Sequence, residues 1–321
     1  MRRVIKAALI GWLLSCSAAM AYPDRPIRLI VPFAPGGVTD LAARIVGQHL
    51  TAKWGQQVVI ENKPGAGGII GVETAINATP DGYTLLMATS GEISIIPAIS
   101  VKQLRYDSQK DLIPIALVSE TPFVWVVNVN SGITSLPDLV ARAKAKPGDL
   151  AYSSAGNGSS NHMATEQFNA AAGIKLLHVP YRGGNPASAA VTAGEVPIGT
   201  AALSSILPFV GSDKVKMLGV TSLKRSKLIP DVPTVTETGV LKDFEATIWA
   251  AMFAPKGTPP AIVAKVQADV IEVLKDPALI ARFETAGASA VGTPGDALSK
   301  RIASELEMFG KIAKEQNIRL E

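Results

Sequence analysis

Cysteine occurs once in the 321 residues, at Cys16. It falls inside an N-terminal stretch that reads as a removable leader, so the mature chain is expected to carry no thiol. Disulfides and thiolate nucleophiles are thereby excluded from its chemistry. Histidine is almost as scarce. His49, His162 and His178 are the full set, and no two stand in the His-x-x-x-His arrangement that holds zinc. Gly-x-Ser-x-Gly is missing as well, which removes the usual signature of a secreted serine hydrolase. The expectation is therefore no enzyme, no metal and no cofactor. Aromatic residues make up only 5% of the chain, and a large excess of charge of one sign is missing too. The formal +4 is misleading: three of the 31 basic residues sit in the leader, leaving 28 against 27 acids. Such a surface does not call for nucleic acid. No low-complexity segment or short repeat interrupts the sequence.

The leader has a positive start (Arg2, Arg3, Lys6), a short apolar stretch from Ala7 to Leu14, and a small-x-small site at Ala19-Met20-Ala21. This predicts a signal peptide over residues 1–21, a mature start at Tyr22 and export across the membrane. The apolar stretch is too short for a permanent membrane anchor. Leu13-Leu14-Ser15-Cys16 loosely matches a lipoprotein site but fits poorly at Leu14, so cleavage after Ala21 is the preferred reading.

What the chain does have is glycine-rich turns at the starts of helices. Ile27–Phe33 reads as a strand, and Ala34-Pro35-Gly36-Gly37-Val38-Thr39-Asp40 leads into a helix. Leu150–Ser154 reads likewise as a strand, and Ala155-Gly156-Asn157-Gly158-Ser159-Ser160-Asn161 leads into another helix. Such turns expose unpaired N–H groups at the positive end of a helix dipole and suit a carboxylate. One in each half predicts a ligand clamped between two lobes.

Alternating strand and helix patterns predict α/β architecture with mainly parallel sheets. Strands are expected at Ile27–Pro32, Gln57–Glu61, Thr84–Ala88, Leu150–Ser153, Leu176–Val179, Val196–Thr200, Lys216–Thr221 and Thr247–Phe253. Helices are expected at Asp40–Trp54, Gly68–Ala78, Pro186–Ala193, Ser204–Gly211, Pro259–Leu274 and Pro294–Gln316, with a further one starting at Ser160. Two apolar runs, Ile113–Val118 and Phe123–Val129, flank Glu120-Thr121-Pro122 and read as the passage between lobes. Pro64-Gly65-Ala66-Gly67-Gly68 has no Lys-Ser/Thr after it and misses the dinucleotide spacing, so it reads as a structural helix-start turn.

Several motifs, taken together in order, resemble the periplasmic tricarboxylate-type substrate-binding receptors, the Bug receptors. They are Val31–Asp40 with Ala43-Arg44, Glu61–Gly68, Pro80–Leu85, Tyr152–Ser160, His178–Gly183, Ala193–Val196 and Leu228–Thr234. The resemblance implies a type II periplasmic binding-protein fold, two α/β lobes joined by two crossovers around a ligand cleft. It places the lobes at residues 22–122 plus 254–321 and at 123–253. It implies a monomer that captures a small organic acid and works with membrane transporter subunits or a sensor protein.

On this basis Pro35, Gly36, Gly37 and Thr39 form one jaw, the two glycines turning with positive φ. Asp40 caps the helix or holds water, and Phe33 packs on the ligand's carbon chain or in the core. Thr89 and Ser90 stand at a strand end, either facing the cleft or capping a turn. Ser154, Gly156, Asn157, Gly158, Ser159 and Ser160 form the second jaw. His162 donates from a neutral ring or is a core or surface residue. Tyr181 and Arg182 follow another strand end, where Arg182 is either a cation for the ligand or a solvated ion-pair partner. Ala201 and Ala202 stand where relatives carry a polar pair, which weakens an amino-acid ligand. Glu92 is expected to face water; if it faces the cleft, it disfavours a second ligand carboxylate there and can accept from a ligand hydroxyl or amide. With Ile93 and Ile96 it departs from the residues usual there, which points to a less polar ligand such as an aromatic or hydroxylated monocarboxylate.

Overall fold

The computed structural model describes residues 22–320; the expected leader, with Cys16, lies outside the described residues. The chain opens with β1 (Ile27–Val31), α1 (Val38–Trp54), β2 (Val58–Asn62), α2 (Ile69–Ile76) and β3 (Thr84–Thr89). β1 pairs in parallel with both β2 and β3, so each crossover carries a helix over a sheet face. All six residues of β3 are buried, as in a strand covered on both sides. Side chains then sort by parity. Leu29, Val31, Leu85 and Met87 enter a core with Ile45 and Leu50 of α1. Ile30, Leu86 and Ala88 enter another with Val72 of α2 and with Leu298 and Ile302 from near the C-terminus.

The two apolar runs read as a passage form one unbroken strand, β4 (Leu112–Asn128), 17 residues long. Its first part, Leu112 to Pro122, pairs antiparallel with β9 (Thr247–Pro255). From Phe123 onward it pairs with β7 (Ile198–Ala202) and β8 (Val215–Val220). Pro122 has no N–H to give, but its register partner Thr247 is the first residue of β9, so it stands where one set of partners hands over to the next. The Phe123 amide just beyond it donates to Thr221 Oγ1 at 2.8 Å.

β9 pairs with β3 and the first part of β4 along its length. Ala246, just before it, donates to the Thr221 carbonyl and packs with Phe168 and Phe244 instead. The return crossing therefore lies at Ala246–Thr247, ahead of the boundary the sequence placed after Phe253. An apolar run alone does not say which sheet a strand joins.

The second sheet adds β5 (Ala151–Ser154), parallel to both β6 (Leu177–Pro180) and β7. Around it lie α4 (Leu136–Ala145), α5 (Ser160–Ala172), α6 (Gly184–Ala193) and α7 (Leu203–Ile206). Phe123, Trp125 and Val127 face α4 and α5, while Val124 and Val126 face α6 and α7. The strand order is β2-β1-β3-β9-β4-β7-β5-β6. The expected helix Ser204–Gly211 is only α7 followed by a 3₁₀ turn at Leu207–Phe209, because Pro208 cannot continue an α-helical ladder.

The chain ends with α8 (Pro260–Val273), α9 (Pro277–Thr285), β10 (Ser289–Pro294) and α10 (Gly295–Glu315). α4 and α9 begin with local caps: Ser135 accepts from the Asp138 amide, and Asp276 from that of Ala278. The far end of α10 brings Phe309, Ile312 and Ala313 against Met163 of α5, so the last helix touches both halves. Among the described residues no helix is long and apolar enough to cross a membrane.

Candidate functional site

The end of β1 runs into the turn Pro35-Gly36-Gly37, which is exposed. Gly36 has φ +93°, a value that favours glycine, but Gly37 has φ −82° and an extended backbone. Only one of the two glycines is thus required by its own conformation. Thr39 and Asp40 are buried in the first turn of α1. Asp40 Oδ2 accepts from the Gly36 amide at 2.9 Å and from Arg44 Nε at 2.8 Å, while Oδ1 accepts from Asn62 Nδ2 at 2.9 Å. Burial pushes the Asp40 carboxyl up, but bonds from Arg44, Asn62 and Gly36 outweigh it and hold the group below the usual range. Asn62 also donates to the Phe33 carbonyl. Asp40 is thereby a brace for the turn, tied to the ends of β1 and β2.

β3 ends beside this turn, and Thr89 and Ser90 are both buried. A turn of π-helix, Gly91–Ile95, follows and leads into α3 (Ile96–Ile99), numbered here apart from the helices above that follow it in the chain. Glu92 does not face water: it is 0% exposed. Its carboxylate accepts from the Thr89 amide and the Thr89 hydroxyl, each at 2.6 Å. Burial drives the Glu92 carboxyl up to about 7, against the pull of the Thr89 bonds. Room for the side chain comes from Gly68, φ +101°, where a methyl group would meet Phe33 Cζ at 3.2 Å and Glu92 Cβ at 3.3 Å. The turn 64–68 is thus structural, and it gathers Phe33 and Glu92. Ile93 and Ile96 are buried rather than cleft-lining; Ile93 packs with Ile30 and Leu86.

In the second sheet, β5 ends at Ser154. The Ser154 hydroxyl shares a 2.6 Å hydrogen bond with His178 Nε2 and accepts from the Gly156 amide at 3.1 Å. The Gly158 amide donates to His162 Nδ1 at 3.0 Å, and the Ala155 amide to Asn161 Oδ1 at 3.2 Å. Ser159 Oγ donates to the Gly156 carbonyl at 2.6 Å. The turn is therefore closed by neutral groups, and no acid stands in the first turn of α5. Burial lowers both imidazoles, that of His162 to about 3 and that of His178 to about 4, so both are neutral at pH 7. Asn161 Nδ2 donates to the Thr200 carbonyl at 2.8 Å, bringing the end of β7 to this point. The Tyr181 amide donates to the Ser154 carbonyl and that of Gly183 to Ala155, which seats the next turn alongside. Arg182 on that turn is exposed, and no ion pair engages it among the described residues. Asn157 turns away, its amide donating to the Arg319 carbonyl. Ala201 is buried with Val124 and Val191 under α6 and α7.

The two sets of turns meet. A methyl group on Gly91 would lie 3.8 Å from Ser160 Oγ, and one on Gly158 only 2.5 Å from Ile99 Cδ1. Two hydroxyls at these strand ends, Ser90 Oγ and Thr200 Oγ1, are buried without a hydrogen-bond partner. Such groups are costly unless something else satisfies them. Asn62, Asn161, His178 and Thr200 were not nominated from sequence, and Glu92 was expected to face water. Asn62, Asn161 and His178 lie in or beside the quoted motifs, but only the fold shows which groups they serve.

A family model described as "Tripartite tricarboxylate transporter family receptor" matches residues 42–318. The chain belongs to this family. Protein BugT of Bordetella pertussis is 35% identical to it over 308 residues, 94% of this chain and 93% of that protein. Among solved structures, R. palustris Rpa4515 with adipate superposes with a TM-score of 0.80 at 29% identity, covering 93% of this chain and 99% of that one. MatC from Rhodopseudomonas palustris with bound malate gives a TM-score of 0.75 at 29% identity, covering 91% and 99%. The fold of this receptor is accordingly that of a periplasmic binding protein of the tricarboxylate-receptor type.

Proposed function

We propose that the chain is an exported periplasmic receptor, not an enzyme. It captures a small carboxylate-bearing ligand between two lobes and passes it to the membrane subunits of a tripartite tricarboxylate-type transporter. The lobes are residues 22–122 with 247–321, and 123–246. The observation that carries this reading is the approach of two strand-end turns, Gly91 after β3 and Ser160 at the start of α5, with Pro35–Gly37 following the neighbouring strand β1 and Tyr181 seated beside Ser154. Strand ends of this kind are where open α/β sheets bind ligands. Relatives with adipate and with malate support the carboxylate class. The ligand contacts proposed are Gly36, Gly37, Thr39, Ser90, Ser160 and Arg182, with Asp40, Ser154 and His162 shaping the turns. Closure follows if the ligand binds the closed form more tightly than the open one.

Native mass spectrometry of the mature protein, purified without denaturation, tests the reading. A retained organic acid that is displaced by added acid supports it. A protein that retains none and shows no heat of binding or thermal shift with any small organic acid contradicts it.

A further inference from the structure

A ligand carboxylate must find donors in the turn it faces, and at the end of β3 two of those donors are already used. The Thr89 amide and the Thr89 hydroxyl both donate to the Glu92 carboxylate. This is the pattern by which a strand-end turn would hold an incoming carboxylate, with one backbone N–H and one hydroxyl per anion. Glu92 is fully buried, its side chain lies against Gly68 beside the Phe33 ring, and the neighbouring Gly91 approaches Ser160 of the other half. Among the described residues no cation forms an ion pair with Glu92. A second carboxylate brought here would find only the Ser90 hydroxyl free and would meet an acid with no cation beside it. The Gly36 amide is committed in the same way, to Asp40, whose charge Arg44 balances. The second half differs: its turn is closed by Ser154, His162 and Asn161, all neutral, and among the described residues no hydrogen bond engages Ser160 Oγ. What the first half leaves open at the end of β3 is the unpartnered Ser90 hydroxyl, which can serve an uncharged group.

We propose that Glu92 fills the carboxylate subsite at the end of β3 with the chain's own side chain, so that the ligand of this receptor is a monocarboxylate. Its one carboxylate lies on the Ser154–Ser160 turn and its uncharged end lies toward Phe33 and Ser90. The inference rests on the receptor reading above and narrows its ligand class.

Matched pairs of acids with equal carbon counts test it: hexanoate against adipate, and para-toluate against terephthalate, titrated calorimetrically into the stripped mature protein. The expected result is that the monoacid of at least one pair binds tenfold or more tightly than its diacid, with neither diacid preferred. A diacid bound as tightly as its monoacid, or more so, overturns the inference and leaves the receptor reading standing. No binding by any of the four acids overturns the inference, while the receptor reading stands or falls with the native mass spectrometry described above. Glu92→Ala supplies the second arm, with its fold checked by circular dichroism. Freed Thr89 donors are expected to raise diacid affinity relative to monoacid by tenfold or more. A folded variant with the wild-type ranking rules out Glu92 as the determinant. The wild-type ranking needs no variant, so a variant that fails to fold does not remove the test.

Discussion

The imidazole rings of His162 and His178 stack face to face, 3.7 Å between centroids and 7° from parallel, with Tyr152 stacked beyond His178 at 5.1 Å. Two cationic rings cannot share that spacing in a buried place, and each ring holds part of the second turn through an unprotonated or shared nitrogen. His162 Nδ1 takes the Gly158 amide, and His178 Nε2 meets Ser154. The pair is therefore both a support for the turn and an acid-sensitive point.

Burial depresses both histidines from 6.5, to about 3 and about 4. The unfolded chain then binds more protons than the folded one below about pH 6.5, so stability rises with pH across that window and is lost on acidification. Each histidine contributes a slope of up to about 1.4 kcal/mol per pH unit. Urea midpoints at about pH 7 and pH 5 are expected to differ clearly in the wild type. His178→Phe keeps a stacked ring that cannot charge and should shrink the difference. An equal difference in the variant would remove His178 from this account.

Glu92 gives the opposite sign. Its folded value of about 7 lies above the ordinary 4.5, so the folded state holds the proton more tightly between those values. The stability this group contributes is full below about pH 4.5 and falls as pH rises to about 7. Glu92→Gln, which keeps one acceptor and a neutral head, should be more stable than wild type at about pH 8 by up to about 3 kcal/mol, with the gain vanishing near about pH 4. Denaturant melts at the two pH values check this.

Two glycines separate binding from folding. A methyl group on Gly37 meets nothing within 4 Å, and its φ of −82° suits any residue. Gly37→Val should therefore cost no more than about 1 kcal/mol, through the poorer N-cap of α1, while its bulk blocks the exposed turn and lowers ligand affinity tenfold or more. Unchanged affinity would take this turn out of the site. At Gly71 a methyl group would lie 2.4 Å from the Pro32 Cα, a backbone atom that cannot yield. Gly71→Ala should cost about 3 kcal/mol, because α2 must then move off the end of β1. Thermal melts distinguish the two.

Arg301 of α10 binds Glu120 and Glu305, and its NH2 reaches Thr247 Oγ1 at 3.2 Å, so it spans both strands at the crossing. Its side chain keeps 29% of its surface exposed, which discounts the pair relative to a fully buried one. Arg301→Ala should destabilise by about 2 kcal/mol, through two carboxylates left close together without their cation. Chemical denaturation measures it.

How much of this was legible beforehand follows the range of the interactions involved. β1, α1 and β3 are set by local alternation and by turn residues, and their positions were readable to within a residue or two. α4 and α9 were missed although Ser135 and Asp276 cap them, because short amphipathic stretches beside prolines read as loops. β10 is an edge strand with exposed positions, and only its pairing with β4 defines it. The two glycine-rich turns were legible as motifs, but what fastens them was not. Glu92 is buried because Thr89 supplies two donors and Gly68 gives it space. His178 meets Ser154 only because β5 and β6 are neighbours. Neither relation leaves a mark in composition or periodicity.

β4 has a mechanical consequence. A strand that passes unbroken from one sheet to the other cannot swivel like a slack tether; it flexes like a leaf spring, sharing its bend over many peptide units. Small rotations then cost little at any single residue, while large ones would have to tear ladder hydrogen bonds from β9 on one side or β7 on the other. A continuous strand rather than a loop thus joins the two groups of cores, so any movement of one against the other has to bend β4.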